Sequence, residues 1–474
     1  MISSLRKIKL FLFASITVLG LPVFVEAQVK RPGVYVEEIS MLPPSIAQVE
    51  TAVPAFIGST QSGPLMRPIR IANMAEFEKY FGGPEKASIS VNVGQTISSS
   101  VKLNNNGILH YCLRQYFKNG GGACYIISTG NFGSANYAKF TAGLAALNKV
   151  DEPTLILLPE AAYLEKNEYG QIIQAVLDQC KRRKDRFGIF DYYYHQAGIG
   201  PEDPADYRKI NPQSFRGSMG TNNLAYGAVY TPYLQTLIPY AYDEKEVAIS
   251  SKNAKTSSLA DIKKMNLTLY KNIIAHLAKQ RIVLPPSSSI AGIYCKVDRD
   301  RGVWKAPANV SVSGIIGPVT QITDAEQSGL NTDPTTGKSI NAIRTFAGRG
   351  TLVWGSRTLA GNDNEWRYVP VRRMAIAIEE SIQKGTSFAV FEPNDKNTWL
   401  KVKAAIENYL TGLWRQGALM GSTPEKAFFV KVGLGETMTR NDILNGRLII
   451  QIGIAPVRPA EFIVVQFSHQ MQEP

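Results

Sequence analysis

Apolar positions along this chain follow two rhythms. In Thr154-Leu155-Ile156-Leu157-Leu158, closed by Pro159, they run without a break, and Phe187, Ile189 and Phe190 repeat the pattern within 186–191. Between these runs Ile172, Ile173, Val176 and Leu177 recur at helical spacing. Continuous apolar strands alternating with helices predict a parallel sheet covered on both faces, an α/β architecture. Leu144-Ala145-Ala146-Leu147 and 261–280 read as further helices. A helix over 110–118, stopped by Gly120-Gly121-Gly122, leads into the apolar strand Cys124-Tyr125-Ile126-Ile127. Near the start, Val34-Tyr35-Val36 behind Pro32-Gly33 is a short β-prone run, and Pro43-Pro44 separates it from a second over 51–58. A short helical turn is expected at 75–81. Ser and Asn dominate 85–106, which reads as a mobile surface loop, and 196–220 and 243–259 read as polar loops.

The last third is the most regular. Residues 371–384 predict a helix stopped by Gly385, and 388–391 a strand. Asn397 is the expected N-cap of a helix with Trp399, Val402, Ile406, Tyr409, Leu410 and Leu413 on one face and Lys401, Glu407 and Asn408 opposite. A strand follows at 427–432. Leu448, Ile450, Ile452 and Ile454 alternate as a half-buried strand, and beyond the Pro456–Pro459 corner Ile463, Val465 and Phe467 alternate again. The chain thus combines α/β and α+β regions.

Composition narrows the function. A length of 474 residues leads to about two to four domains. Charged residues at 19% and hydrophobic residues at 44% exclude a disordered or fibrous chain. Past the first residues no apolar run reaches the ~18 residues needed to cross a bilayer, so no stable membrane insertion of the mature chain is expected. Cys112, Cys124, Cys180 and Cys295 lack metal or disulfide-scaffold spacing, and His110, His195, His276 and His469 share no helical face. Neither a metal site nor another cofactor is expected. The net charge of +13 would suit nucleic acid, but the basic residues are scattered, and the densest run, Lys181-Arg182-Arg183-Lys184, reads as a solvated helix end. Docking on an acidic protein fits the charge equally well, and no nucleic-acid partner is expected. Residues 1–27, with Arg6, Lys7 and Lys9 before an apolar 10–25 and small residues at Val25-Glu26-Ala27, look like a secretory leader or a start-site extension.

Three segments carry a family resemblance. The first is Pro32-Gly33-Val34-Tyr35-Val36-Glu37-Glu38 with Thr51-Ala52-Val53-Pro54-Ala55-Phe56-Ile57-Gly58. The second is Ala291-Gly292-Ile293-Tyr294 with 298–309, Asp298-Arg299-Asp300-Arg301-Gly302-Val303-Trp304 onward. The third runs from Leu413-Trp414-Arg415-Gln416-Gly417 through Ala455-Pro456-Val457-Arg458-Pro459-Ala460-Glu461-Phe462-Ile463. From about residue 30 to the end the chain resembles the contractile phage-tail sheath family, which includes the sheaths of phage-tail-like contractile injection systems.

The resemblance implies a conserved sheath core built from the N-terminal arm and the C-terminal third, with a central subtilisin-like α/β domain. The expected divisions are the leader at 1–27, the arm and first core strand at 28–58, an outer region at 59–139 holding the 85–106 loop, the subtilisin-like domain at 140–345 and the C-terminal core at 346–474. It also implies a role: subunits polymerise helically around an inner tube and contract to drive it through a target envelope. The implied partners are copies of the chain itself, the inner tube protein, baseplate and terminal cap proteins, and an AAA+ ATPase. Assembly would be cytoplasmic, within a particle later found outside the cell or anchored in an envelope. The leader departs from this pattern and by itself favours a secreted surface assembly protein or adhesin.

No enzyme is expected. Asp191, His195 and Ser218 follow the order of a subtilisin triad, but a step of four residues from Asp to His is too short for two separate strand ends, and the surrounding protease motif is missing. No phosphate-binding loop is present either. The candidate sites are therefore assembly sites. Val34, Tyr35 and Val36, with Ile463, Val465 and Phe467, are candidate arms pairing between subunits. Lys401, Lys403 and Glu407 are the candidate tube contact. Arg299, Arg301 and Trp304 form a candidate clasp between the middle domain and the core.

Overall fold

A computed structural model describes residues 45–194, 211–251 and 254–462. Its centre is a sheet in the order Val310–Ser311, Gly350–Val353, Asn341–Phe346, Gly227–Thr231, Phe187–Asp191, Leu155–Leu157, Pro54–Gly58, Cys124–Ser128, Ile69–Ile71. From Asn341–Phe346 to Cys124–Ser128 the neighbours are parallel, and the flanking strands run antiparallel. Phe56 and Ile57 point to opposite faces. Tyr116 of the Leu109–Lys118 helix meets Phe56 with ring centroids 5.1 Å apart, whereas Gly143 of the Tyr137–Leu147 helix lies against Ile57. Covering both faces is what the unbroken apolar strands require. The boundary expected at 140 cuts through this sheet, because Pro54–Gly58, Ile69–Ile71 and Cys124–Ser128 belong to it. The same holds for the boundary at 345, beyond which Gly350–Val353 adds a strand.

The 85–106 segment is no loop. Ser88–Val93 and Ile97–Lys102 form an antiparallel hairpin, and Ser88–Val93 also pairs in parallel with Ala248–Ser251, itself paired with Ala254–Ser258. Ile89 and Val91 are buried while Ser88, Ser90 and Asn92 face out, a period of two that the Ser and Asn content concealed. With Val247, Ile249, Leu259, Ile262, Ile273 and Leu277 they make a separate small core. The expected 196–220 loop likewise contains the Pro212–Ser218 helix.

In the last third, Met374, Ile378 and Ile382 of the Val369–Gly385 helix pack on Val402, Ile406, Leu410 and Leu413 of the Lys396–Arg415 helix. Ile46 and Val303 join this core, and Phe428–Lys431 pairs antiparallel with Gln451–Ile454. Two local expectations fail. Residues 388–391 form no strand: Ser387–Ala389 is a 3-10 turn, and Phe391 stands exposed at φ 69°. The N-cap is Asp395 rather than Asn397, its carboxylate accepting from the Asn397 and Thr398 amides at 2.9 and 3.0 Å.

Candidate functional site

The helix turn at 298–301 carries a buried ion pair, made by side chains other than the candidates Arg299 and Arg301. Residues 298–301 are the last turn of the Ser287–Arg301 helix. Asp298 accepts from Arg373 Nη1 and Nη2 at 3.0 and 2.6 Å and from Thr51 Oγ1 at 2.6 Å. Both partners of the ion pair are almost fully buried, at 3% and 5% exposure. Arg373 also donates to the Thr51 carbonyl and lies 4.5 Å above the Tyr294 ring. Burial opposes the Arg373 charge, yet Asp298 outweighs it and holds the guanidinium above its ordinary pKa. One buried carboxylate thus joins the N-terminal strap, the α/β sheet region and the C-terminal core. Arg299 and Arg301 do not close the clasp: Arg299 makes a solvent-exposed pair with Asp300, and Arg301 is exposed. Trp304 is half-buried against the C-terminal core, and its indole N–H lacks a partner among the described residues. Arg373 could have been noticed, since it falls between Val371 and Met374 in an apolar helical stretch.

The arm candidates Val34, Tyr35, Val36, Ile463, Val465 and Phe467 lie outside the described residues. Their roots are described. Residues 46–53 run along the Val369–Gly385 helix, with Ile46 against Gly385 and the Val49 amide donating to Ser381 Oγ at 3.1 Å. At the other end Glu461 accepts from Arg357, Asn331 and Tyr368. On the Lys396–Arg415 helix, Lys401 is exposed, and half-exposed Lys403 and Glu407 stand 3.9 Å apart one turn from each other.

Of the apparent triad, Asp191 and Ser218 are each engaged by neighbours. Asp191 is buried and accepts from the Ser287 amide at 2.7 Å and the Ser287 hydroxyl at 2.6 Å. Ser218 donates to the Phe215 carbonyl, and His195 lies outside the described residues. Glu160 does for the Leu109–Lys118 helix what Asp191 does for Ser287–Arg301. It accepts from the Leu109 amide at 3.0 Å and from Ser59. Neither helix has a cap from its own N-cap side chain, so carboxylates from the ends of the sheet supply it. Burial pushes both acids up to about 7. Sequence reading missed Glu160, which follows a strand-closing proline.

A family model for the phage tail sheath C-terminal domain matches residues 361–470. The fold is similar to the sheath of an extracellular contractile injection system, PVC, in its contracted state, at 32% identity and TM-score 0.66, covering 93% of this chain and 98% of that one. It is similarly like the contracted helical sheath of the anti-feeding prophage, at 33% identity and TM-score 0.64, covering 93% and 99%. The chain belongs to the contractile tail-sheath family. Among curated sheath relatives, the tail sheath protein of Burkholderia phage BcepMu is 30% identical over 142 residues, 29% of each chain. That of Vibrio phage KVP40 is 23% identical over 185 residues, 39% of this chain and 26% of the relative. The chain therefore spans under a third of the length of these two relatives. Sheath-family membership makes this a structural protein. No described helix is long and apolar enough to cross a membrane.

Proposed function

We propose that this sheath-family chain polymerises helically around an inner tube and contracts to drive that tube through a target envelope. The observation that carries this reading is the near full-length likeness to sheaths solved in the contracted state. Its homopolymer would meet the tube protein within the sleeve and baseplate and cap proteins at its ends, with an AAA+ ATPase as a further partner. It would assemble in the cytoplasm and end as part of an extracellular or envelope-anchored particle.

Contraction draws on stored packing energy rather than fuel. Two bistable packings separated by about a few kcal/mol per subunit, multiplied over a sleeve, suffice. The Asp298–Arg373 clasp supports rigid-body movement of each subunit, because it ties strap, sheet and C-terminal core at one buried point. The central α/β domain is subtilisin-like without a working triad, and the chain is no enzyme. Engagement of the Asp191 carboxylate by the Ser287–Arg301 helix supports this. Lys401, Lys403 and Glu407 face the tube, and their exposure supports a contact worth only ~0–1 kcal/mol per ion pair, which releases readily on firing.

Arms link neighbours. The Phe428–Lys431 and Gln451–Ile454 ribbon has two strands, which alone are marginal, and its outer edges are open among the described residues. Val34-Tyr35-Val36 and Ile463, Val465 and Phe467 of neighbouring copies would complete it by strand addition. The test is deletion of 28–40, or termination at Pro459, followed by electron microscopy. A folded chain that forms no sleeves is expected, and normal sleeves from either truncation would overturn the linking role.

A further inference from the structure

The two arm roots share one support. The incoming strap meets the Val369–Gly385 helix at its C-terminal end, where a Cβ on Gly385 would lie 2.7 Å from the Ile46 side chain. It then bonds to Ser381 and Arg373 on the way to the central sheet. The outgoing root meets the helix at its other end, where Tyr368 is the N-cap residue and its hydroxyl donates to Glu461 at 3.2 Å. Seventeen helical residues separate these ends, about 25 Å at ~1.5 Å per residue.

Glu461 sits in a socket of donors. Arg357 Nε reaches both carboxylate oxygens at 3.0 and 3.1 Å, Arg357 Nη2 reaches Oε2 at 2.6 Å, and Asn331 Nδ2 reaches Oε1 at 2.7 Å. The Arg357 side chain is 6% exposed and that of Glu461 is 20%. Burial raises the Glu461 pKa, but the hydrogen bonds from Arg357 and Asn331 and the Arg357 charge outweigh it and leave the carboxylate below its ordinary value. Such a socket, with both charges largely taken out of water, is costly to build. The preceding backbone tether is the Val457 amide on the Ala418 carbonyl at 3.2 Å. Arg458 Nη1 on the Asn364 carbonyl at 2.7 Å is a further, side-chain tether, so releasing Glu461 would free three residues, up to about 10 Å of slack at ~3.3 Å each.

We propose that the Val369–Gly385 helix is a rigid spar between the roots of the two linking arms, and that Glu461 is the positioning residue that loads the outgoing arm onto it. This rests on the sheath reading above. The Arg357–Glu461 pair converts a pull on the tail into a push on the whole subunit instead of paying out chain. Arg357 and Tyr368 position the anchor, and Gly385 gives the strap its seat at the far end.

The experiment uses the full chain, co-produced with its tube protein, as Glu461→Gln, Glu461→Asp and the exposed control Glu436→Gln. Hydrogen exchange of unassembled subunits reads the anchor, and electron microscopy reads the sleeve. In Glu461→Gln, amides at 457–462 should exchange at least tenfold faster, and sleeves should be at least threefold shorter with irregular pitch. Glu461→Asp, which keeps the charge at shorter reach, should fall between, and Glu436→Gln should match the unmutated chain. Unchanged exchange, or faster exchange with sleeves of normal length and pitch, overturns the proposal. If Glu461→Gln fails to fold, Glu461→Asp decides by the same two readouts. An unmutated chain that makes no sleeves overturns the sheath reading itself, and the anchor's load-bearing role with it.

Discussion

Removing the Asp298 carboxylate should be among the most damaging single changes to the folded subunit. Asp298→Ala leaves the Arg373 guanidinium in place with 3% of its side chain exposed and the carboxylate it pairs with gone. Two charge-assisted bonds at 2.6 and 3.0 Å and the bond from Thr51 are lost together. The Thr51 carbonyl and the Tyr294 ring still face the cation, but neither carries a compensating charge. Breaking a buried pair from one side costs about 3–5 kcal/mol, mostly because the remaining charge is stranded. Urea unfolding of unassembled subunits, followed by tryptophan fluorescence, should show that loss. The double variant Asp298→Leu with Arg373→Met removes both charges and should recover most of it. A loss below about 1 kcal/mol in Asp298→Ala, or a double variant no better than the single, would refute the clasp as an ionic joint.

Trp304→Ala should cost about 1–3 kcal/mol by the same assay, less than the ~3–5 kcal/mol of a fully packed indole, because the ring is only half-buried. Between about pH 4 and pH 7 the folded chain keeps protons on Asp191 and Glu160 that the unfolded chain releases, since their ordinary values of 3.8 and 4.5 are pushed up to about 7. Their contribution to stability is therefore fully present below about pH 4, falls as the pH rises and levels off above about 7; pH-dependent urea midpoints should flatten in Asp191→Asn combined with Glu160→Gln. Lys401→Glu with Lys403→Glu should lower the yield of tube-templated sleeves while leaving the urea midpoint within about 0.5 kcal/mol, and unchanged yield would remove this face from the tube contact.

Periodicity made the central sheet legible because strands buried on both faces must be apolar throughout, as in 155–158 and 187–190. It failed at 85–106 because one buried face needs only every second residue, and Ile89 and Val91 are outnumbered by the serines and asparagines around them. It also could not reveal that Pro54–Gly58 lies between Leu155–Leu157 and Cys124–Ser128, since pairing at long sequence separation leaves no local trace. In the 298–309 segment the buried ion pair is not made by the most conspicuous charges. Arg299 and Arg301 are conspicuous, yet on the last turn of a helix only Asp298 points inward, and its partner is 75 residues away. Glu461 was visible as a charge within a proline-bounded apolar stretch, but its role depends on Arg357, Asn331 and Tyr368, which only folding brings together.

The most direct test of the central claim is electron microscopy of the chain produced together with its tube protein. The account predicts hollow helical sleeves around the tube, of regular pitch, that shorten and widen when triggered and leave the tube protruding. A chain that stays monomeric beside bare tubes, or assembles without any periodic sleeve, would contradict it.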